Sequence, residues 1–135
     1  MILMDLTYFM NGLKQLYLGD FKMARILGFV KHWDKLDRYE FTTFRVPRKD
    51  KDWGLNELVQ IVVKPRSKER EFLGTANIVQ KDIRNISDIT DKEAKLDGFK
   101  NAEEMGYWLE GAHPHHNFML PFHKLTLVWV DKVFK

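Results

Sequence analysis

Residues 88–99, Asp88-Ile89-Thr90-Asp91-Lys92-Glu93-Ala94-Lys95-Leu96-Asp97-Gly98-Phe99, mark the point where the chain changes its period. Thr90 and Glu93 have the spacing of a capping box: the threonine hydroxyl accepts from the Glu93 amide while the carboxylate reaches back. A short helix to about Leu96 follows, and Gly98 supplies the left-handed cap that ends it. Asn101-Ala102-Glu103-Glu104 opens a second helix, with an asparagine cap and two acids in the first turn, where the helix dipole favours them. This helix reaches about Leu109 or Glu110, before Gly111.

Upstream of these helices the pattern is that of strands. Leu58-Val59-Gln60-Ile61-Val62-Val63 is the clearest, an apolar run with one polar residue, closed by Pro65. Glu71 to Gln80 gives another, bent at Gly74. Arg25 to Val30 reads as a strand, His32 to Leu36 as one helical turn, and Phe41 to Val46 as a strand ended by Pro47. Leu125 to Val130 is the last strand. Strands, two short helices and a closing strand define an α+β domain with a small mixed sheet or barrel and short flanking helices.

Residues 5–18 place Leu6, Phe9, Met10, Leu13, Leu16 and Tyr17 at helical spacing; Gly12 weakens that helix and Gly19-Asp20 stops it. Residues 1–22 are therefore expected to form an N-terminal helical extension to a domain spanning 23–135. The apolar set Leu6, Tyr8, Phe9 and Met10 makes a homodimer through this extension an expectation as well.

A chain of 135 residues fits one domain, and 44% hydrophobic with 13% aromatic residues is enough for a core. The absence of cysteine excludes disulfides, thiolate zinc sites and a cysteine nucleophile. The N-terminus lacks a basic region, a cleavage site and a long apolar run, so neither a signal peptide nor a membrane span is read and the expected location is cytoplasmic. No cofactor is expected. Residues 31–70 hold eleven Lys/Arg against seven Asp/Glu, residues 82–110 four against eight, a basic half and an acidic half. That asymmetry fits a polar binding face, and equally an ordinary solvated surface.

The order of elements, the segment Thr42-Thr43-Phe44-Arg45, the turn Leu55-Asn56-Glu57, and above all Glu93-Ala94-x-x-Asp97-Gly98-Phe99 followed by Ala102-Glu103-Glu104, together resemble the ASCH domains, a branch of the PUA-like β-barrel superfamily. The resemblance covers roughly residues 24–130. The family's usual Gly-x-Lys-x-x-Thr-x-Arg loop finds its threonine in Thr43 and its arginine in Arg45, but Arg38 stands at the glycine and Glu40 at the lysine. The resemblance implies a PUA-like mixed β-barrel with a cleft between barrel and helices, lined by the Thr-x-Arg segment. It implies RNA or a nucleotide as partner. Some members hydrolyse N4-acetylated cytidine with a lysine, a threonine and an acid, which makes Thr43 and Asp97 the catalytic candidates here. Glu40 cannot replace the amine, although Lys35 or Arg38 lie close enough in sequence to reach such a site. Asp97-Gly98 also reads simply as a helix-ending turn.

The basic residues carry the binding reading. Arg45, Arg48, Lys49 and Lys51 follow the Thr-Phe strand, and Lys64, Arg66, Lys68 and Arg70 follow the next strand. If those strands are neighbours, both clusters flank one cleft and hold phosphates, with Thr43 lining the pocket and Trp53 or Phe44 stacking on a base. Thr43 and Arg45 alternate with Phe44, so with Phe44 in the core they face a cleft. A buried Arg45 paired with Glu40 or Asp97 is the competing reading. His113, His115, His116 and His123 lack the spacing of a zinc site, so no metal is expected, while His113 or His116 fits a general base.

Overall fold

The computed structural model describes residues 24–117 and 120–133. The expectations for residues 1–22, the helical extension and the homodimer built on it, lie outside the described residues. Strand β1 (Ile26–Phe29) leads through a 3-10 turn (Asp34–Asp37) to β2 (Glu40–Arg45), β3 (Leu58–Val63) and β4 (Glu71–Arg84). A second 3-10 turn (Ile86–Asp88), helices α1 (Asp91–Asp97) and α2 (Ala102–Ala112) and strand β5 (Phe122–Lys132) complete the order. The α+β expectation holds: one curled, half-barrel sheet in the order β1-β3-β4-β5-β2, with two helices. The β1–β3 pair is parallel and the other pairs are antiparallel.

Local signals account for most boundaries. Thr90 and Glu93 make both halves of the capping box, and Gly98 caps α1 at φ 110°. Asn101 caps α2 by accepting from the Glu104 amide. That helix runs through Gly111 to Ala112, slightly further than the glycine suggests. Asn56 takes φ 63°, the left-handed conformation that asparagine tolerates better than other side chains.

Strands β4 and β5 outrun their sequence expectation, which stopped at Gln80 and began at Leu125. The extra length carries Lys81, Arg84 and Lys124, polar positions that read as loop. Each is satisfied across the fold: Lys81 on Asp52 at 2.9 Å, Arg84 and Lys124 on Glu93 at 2.7 and 2.8 Å. Gly74 is the bend in β4, at φ 143°, where a side-chain carbon would lie 2.1 Å from the Asp131 carbonyl oxygen. Only glycine allows that close approach of β5.

The sheet curls so that its two edges, β1 and β2, meet through side chains rather than a ladder. Arg45 Nη2 on β2 donates to the Gly28 carbonyl on β1 at 2.9 Å. The Phe29 and Phe41 rings meet edge-on at 6.3 Å between centroids. Leu27, Val59, Ile61, Ile78, Leu125 and Leu127 are fully buried, and α1 and α2 add Ala94, Met105 and Leu109 to the same core.

Candidate functional site: a two-compartment cleft

Edge strand β2 is covered on both faces, by the sheet core and by α1 with the first 3-10 turn. Strand alternation therefore does not sort it into an inside and an outside. Thr43 is 4% exposed and Phe44 is buried beside it. The Thr42 hydroxyl donates to Asp97 Oδ1 at 3.1 Å. Asp97 is the last residue of α1, as its glycine neighbour suggests, yet it is 5% exposed and faces inward.

The partner of Asp97 is Lys35 from the first 3-10 turn, with Nζ 3.0 Å from Oδ1 and only 3% exposure. Burial drives the Lys35 ammonium below its ordinary pKa, and the Asp97 charge and hydrogen bond pull it back. The Lys35 Nζ also lies 5.5 Å from the Phe29 ring centroid and 5.8 Å from that of Trp33. Glu40, which the family spacing set at the lysine position, is exposed and does not line the cavity that holds Thr43 and Asp97. The lysine inside is Lys35, because the turn between β1 and β2 folds back over β2. Sequence spacing alone had no signal for this beyond its proximity.

These residues wall an inner compartment of about 200 Å³. Lys35, Thr43, Arg45 and Asp97 supply the polar groups, and Phe29, Trp33, Phe99 and Trp108 supply aromatic walls. Trp33 packs on both Phe99 and Trp108, at 5.2 and 5.7 Å between centroids. His113, the residue that ends α2, completes the wall. Burial lowers its pKa, and the charges of Arg45 and His116 lower it further, so the neutral imidazole is favoured. The rings of both His113 and His116 sit against Phe122. Among the described residues no three His, Asp or Glu side chains gather as a metal site requires.

Arg45 pairs with neither Glu40 nor Asp97. Its Nε donates to Thr43 Oγ1 at 3.1 Å and its Nη2 to Gly28, while the guanidinium lies 4.7 Å from the Phe29 centroid. Burial lowers its pKa to about 10, with Asp97 acting against that, so it stays charged at neutral pH.

Arg45 also borders a second, outer compartment of about 920 Å³ that shares Gly28, Phe29, Val30 and His113 with the inner one. Its floor is apolar, from Ile26, Val46 and Pro65, and its rim is cationic: Arg48, Lys64, Arg66 and Arg70. The loop after β2 and the β3–β4 turn supply these cations although β2 and β3 are not neighbours; the curl of the sheet, not strand pairing, brings them together. Lys49, Lys51 and Lys68 are exposed but do not line this groove.

Two rim cations are tied to exposed acids, Arg48 to Asp50 at 2.8 Å and Lys64 to Glu69 at 2.6 Å. Trp53 borders the groove but is 5% exposed. Arg25 lies 4.3 Å and Arg48 5.4 Å from its ring centroid, so it is packed between cations rather than presented as a stacking platform. Below it, Asp52 meets Lys81 at 2.9 Å and His123 at 2.8 Å.

The class defined so far is a small α+β half-barrel with a cleft in two compartments, one cationic at its rim and one holding a buried ion pair. No family model, no curated protein and no solved structure gives a significant match to the chain. Among the described residues no helix is long and apolar enough to cross a membrane.

Proposed function

We propose that this chain is a PUA-like RNA-binding domain of the ASCH type, which holds single-stranded RNA in the outer groove. One observation carries the reading: Arg45, Arg48, Lys64, Arg66 and Arg70, separated in sequence, line one groove of about 920 Å³ with an apolar floor. Arginine forks match phosphate oxygens, and an apolar floor accepts base faces. Among the described residues the groove's lining holds five cations and no carboxylate, the charge pattern that a polyanion needs.

Fluorescence anisotropy with a labelled single-stranded RNA, titrated with salt, tests the proposal. Affinity falls with log salt at a slope of about −0.7 per neutralised phosphate. Arg66→Ala and Arg70→Ala each weaken binding and flatten the slope. Absence of binding at low salt, or affinity unchanged in both variants, refutes the reading.

A second reading, hydrolysis of a modified nucleoside such as N4-acetylcytidine, is favoured by a separate observation. Lys35, Thr43 and Asp97 line the same inner compartment. Thr43 Oγ1 would attack the acetyl carbonyl, with Lys35, oriented by Asp97, taking the hydroxyl proton and passing it to the departing N4 amine as the C–N bond breaks; water would then cleave the threonine ester and free acetate. Release of acetate from N4-acetylcytidine, lost in Thr43→Ala and in Lys35→Met, is the expected result; no release by the unaltered protein rejects hydrolysis.

A further inference from the structure

The inner compartment has more positive than negative charge. Its described titratable groups are two cations, Lys35 and Arg45, one carboxylate, Asp97, and a His113 held toward neutrality. The Lys35–Asp97 contact at 3.0 Å is a matched pair. Among the described residues Arg45 bonds to neutral acceptors, the Thr43 hydroxyl and the Gly28 carbonyl. A guanidinium carries five N–H donors, so most of its donors remain available. Arg45 is partly exposed and lies at the junction where both compartments meet.

Size adds a second constraint. About 200 Å³ admits one small group and leaves no room for a strand to run through. The outer groove, at about 920 Å³, is where a strand lies. A strand whose end turns from the groove into the inner compartment brings that end past Arg45, which borders both.

We infer that the cleft recognises the terminal phosphate of RNA, with Arg45 as its partner at the mouth of the inner compartment. This rests on the RNA reading above and narrows it from any single strand to a phosphorylated end. The outer cations hold internal phosphates, and Arg45 supplies a bidentate contact that the extra charge of a terminal phosphate strengthens.

Isothermal titration at low salt tests this with one hexaribonucleotide in three forms: 5′-phosphorylated, 3′-phosphorylated, and with hydroxyls at both ends. One phosphorylated form is expected to bind about tenfold more tightly than the hydroxyl form, the gain of one charge-assisted contact. Arg45 itself bridges β1 and β2, so the charge is cancelled from a neighbour instead. Val30 is 63% exposed and borders both compartments. Val30→Asp adds a carboxylate to the wall that Val30 and Arg45 share and erases the preference; Val30→Asn, of the same size and uncharged, keeps it. Arg70→Ala weakens all three hexamers by the same factor. Equal affinity for the three forms, or a preference that survives Val30→Asp, overturns the inference and leaves the RNA reading standing. Failure of all three to bind overturns both.

Discussion

The two compartments of the cleft share Arg45, yet they are built in opposite ways. The outer groove is a rim of exposed side chains over an apolar floor, its cations free in water or tied to exposed acids. The inner compartment withdraws Lys35 and Asp97 from water almost completely and surrounds them with aromatic rings. Charges of the first kind contribute little to folding and serve for attraction at a distance. Those of the second kind depend on each other, since a buried charge without its partner is strongly unfavourable.

That contrast sets the order of expected effects. Asp97→Ala removes the partner of Lys35 and the acceptor of the Thr42 hydroxyl, and is expected to cost about 3–5 kcal/mol in urea unfolding. The double change Lys35→Met with Asp97→Leu recovers most of it. A loss below about 1 kcal/mol for Asp97→Ala would mean that the inner pair behaves like a surface pair.

Acid acts next. Burial raises the Asp52 and Glu93 carboxyls, but hydrogen bonds from Lys81 and the Arg48 and Trp53 amides to Asp52, and from Lys124, the Thr90 amide and Arg84 to Glu93, together outweigh it and hold each at about 2. Ordinary values are 3.8 and 4.5, so the unfolded chain binds protons first as pH falls. Their stabilisation is complete above those ordinary values and is lost as pH drops toward 2. Thermal unfolding between pH 6 and pH 2 checks this: the melting temperature falls most steeply below about pH 4.5, and Lys81→Met with Lys124→Met makes the fall shallower.

The outer rim shows the reverse profile. Arg66→Ala and Arg70→Ala are expected to change stability by less than about 0.5 kcal/mol while weakening RNA binding. Large destabilisation by either would erase the distinction between the compartments. The smallest effect lies outside both: Asn56→Gly leaves stability within a few tenths of a kcal/mol, whereas Asn56→Ala costs about 1 kcal/mol because of its left-handed backbone. Paired urea titrations compare them.

The same contrast explains what was legible in the sequence. Helix α1, its capping box and its glycine cap, the strand Leu58–Val63 and the Asn56 turn are local, and local chemistry foretold each of them. The outer cations were legible as a cluster, although not the reason for their meeting, since the curl of the sheet and not strand adjacency joins them. Lys35 was not legible as an inner residue. Its partner Asp97 belongs to a helix far along the chain, and nothing near Lys35 in the sequence marks it as buried. Arg45 illustrates the middle case: its strand and its importance were readable, but its partners, Thr43 and Gly28, depend on two sheet edges meeting. Trp53 went the other way, since its aromatic character suggested stacking while Arg25 and Arg48 already lie beside its ring.

The most direct test is a backbone amide NMR map of the protein titrated with single-stranded RNA at low salt. The account predicts shifts at residues 28–30, 45, 46, 48, 64, 66, 67, 70 and 113, on the borders of the outer groove, with helix α2 before His113 unaffected. Shifts confined to α2 and its acidic first turn, or none at all, would contradict it.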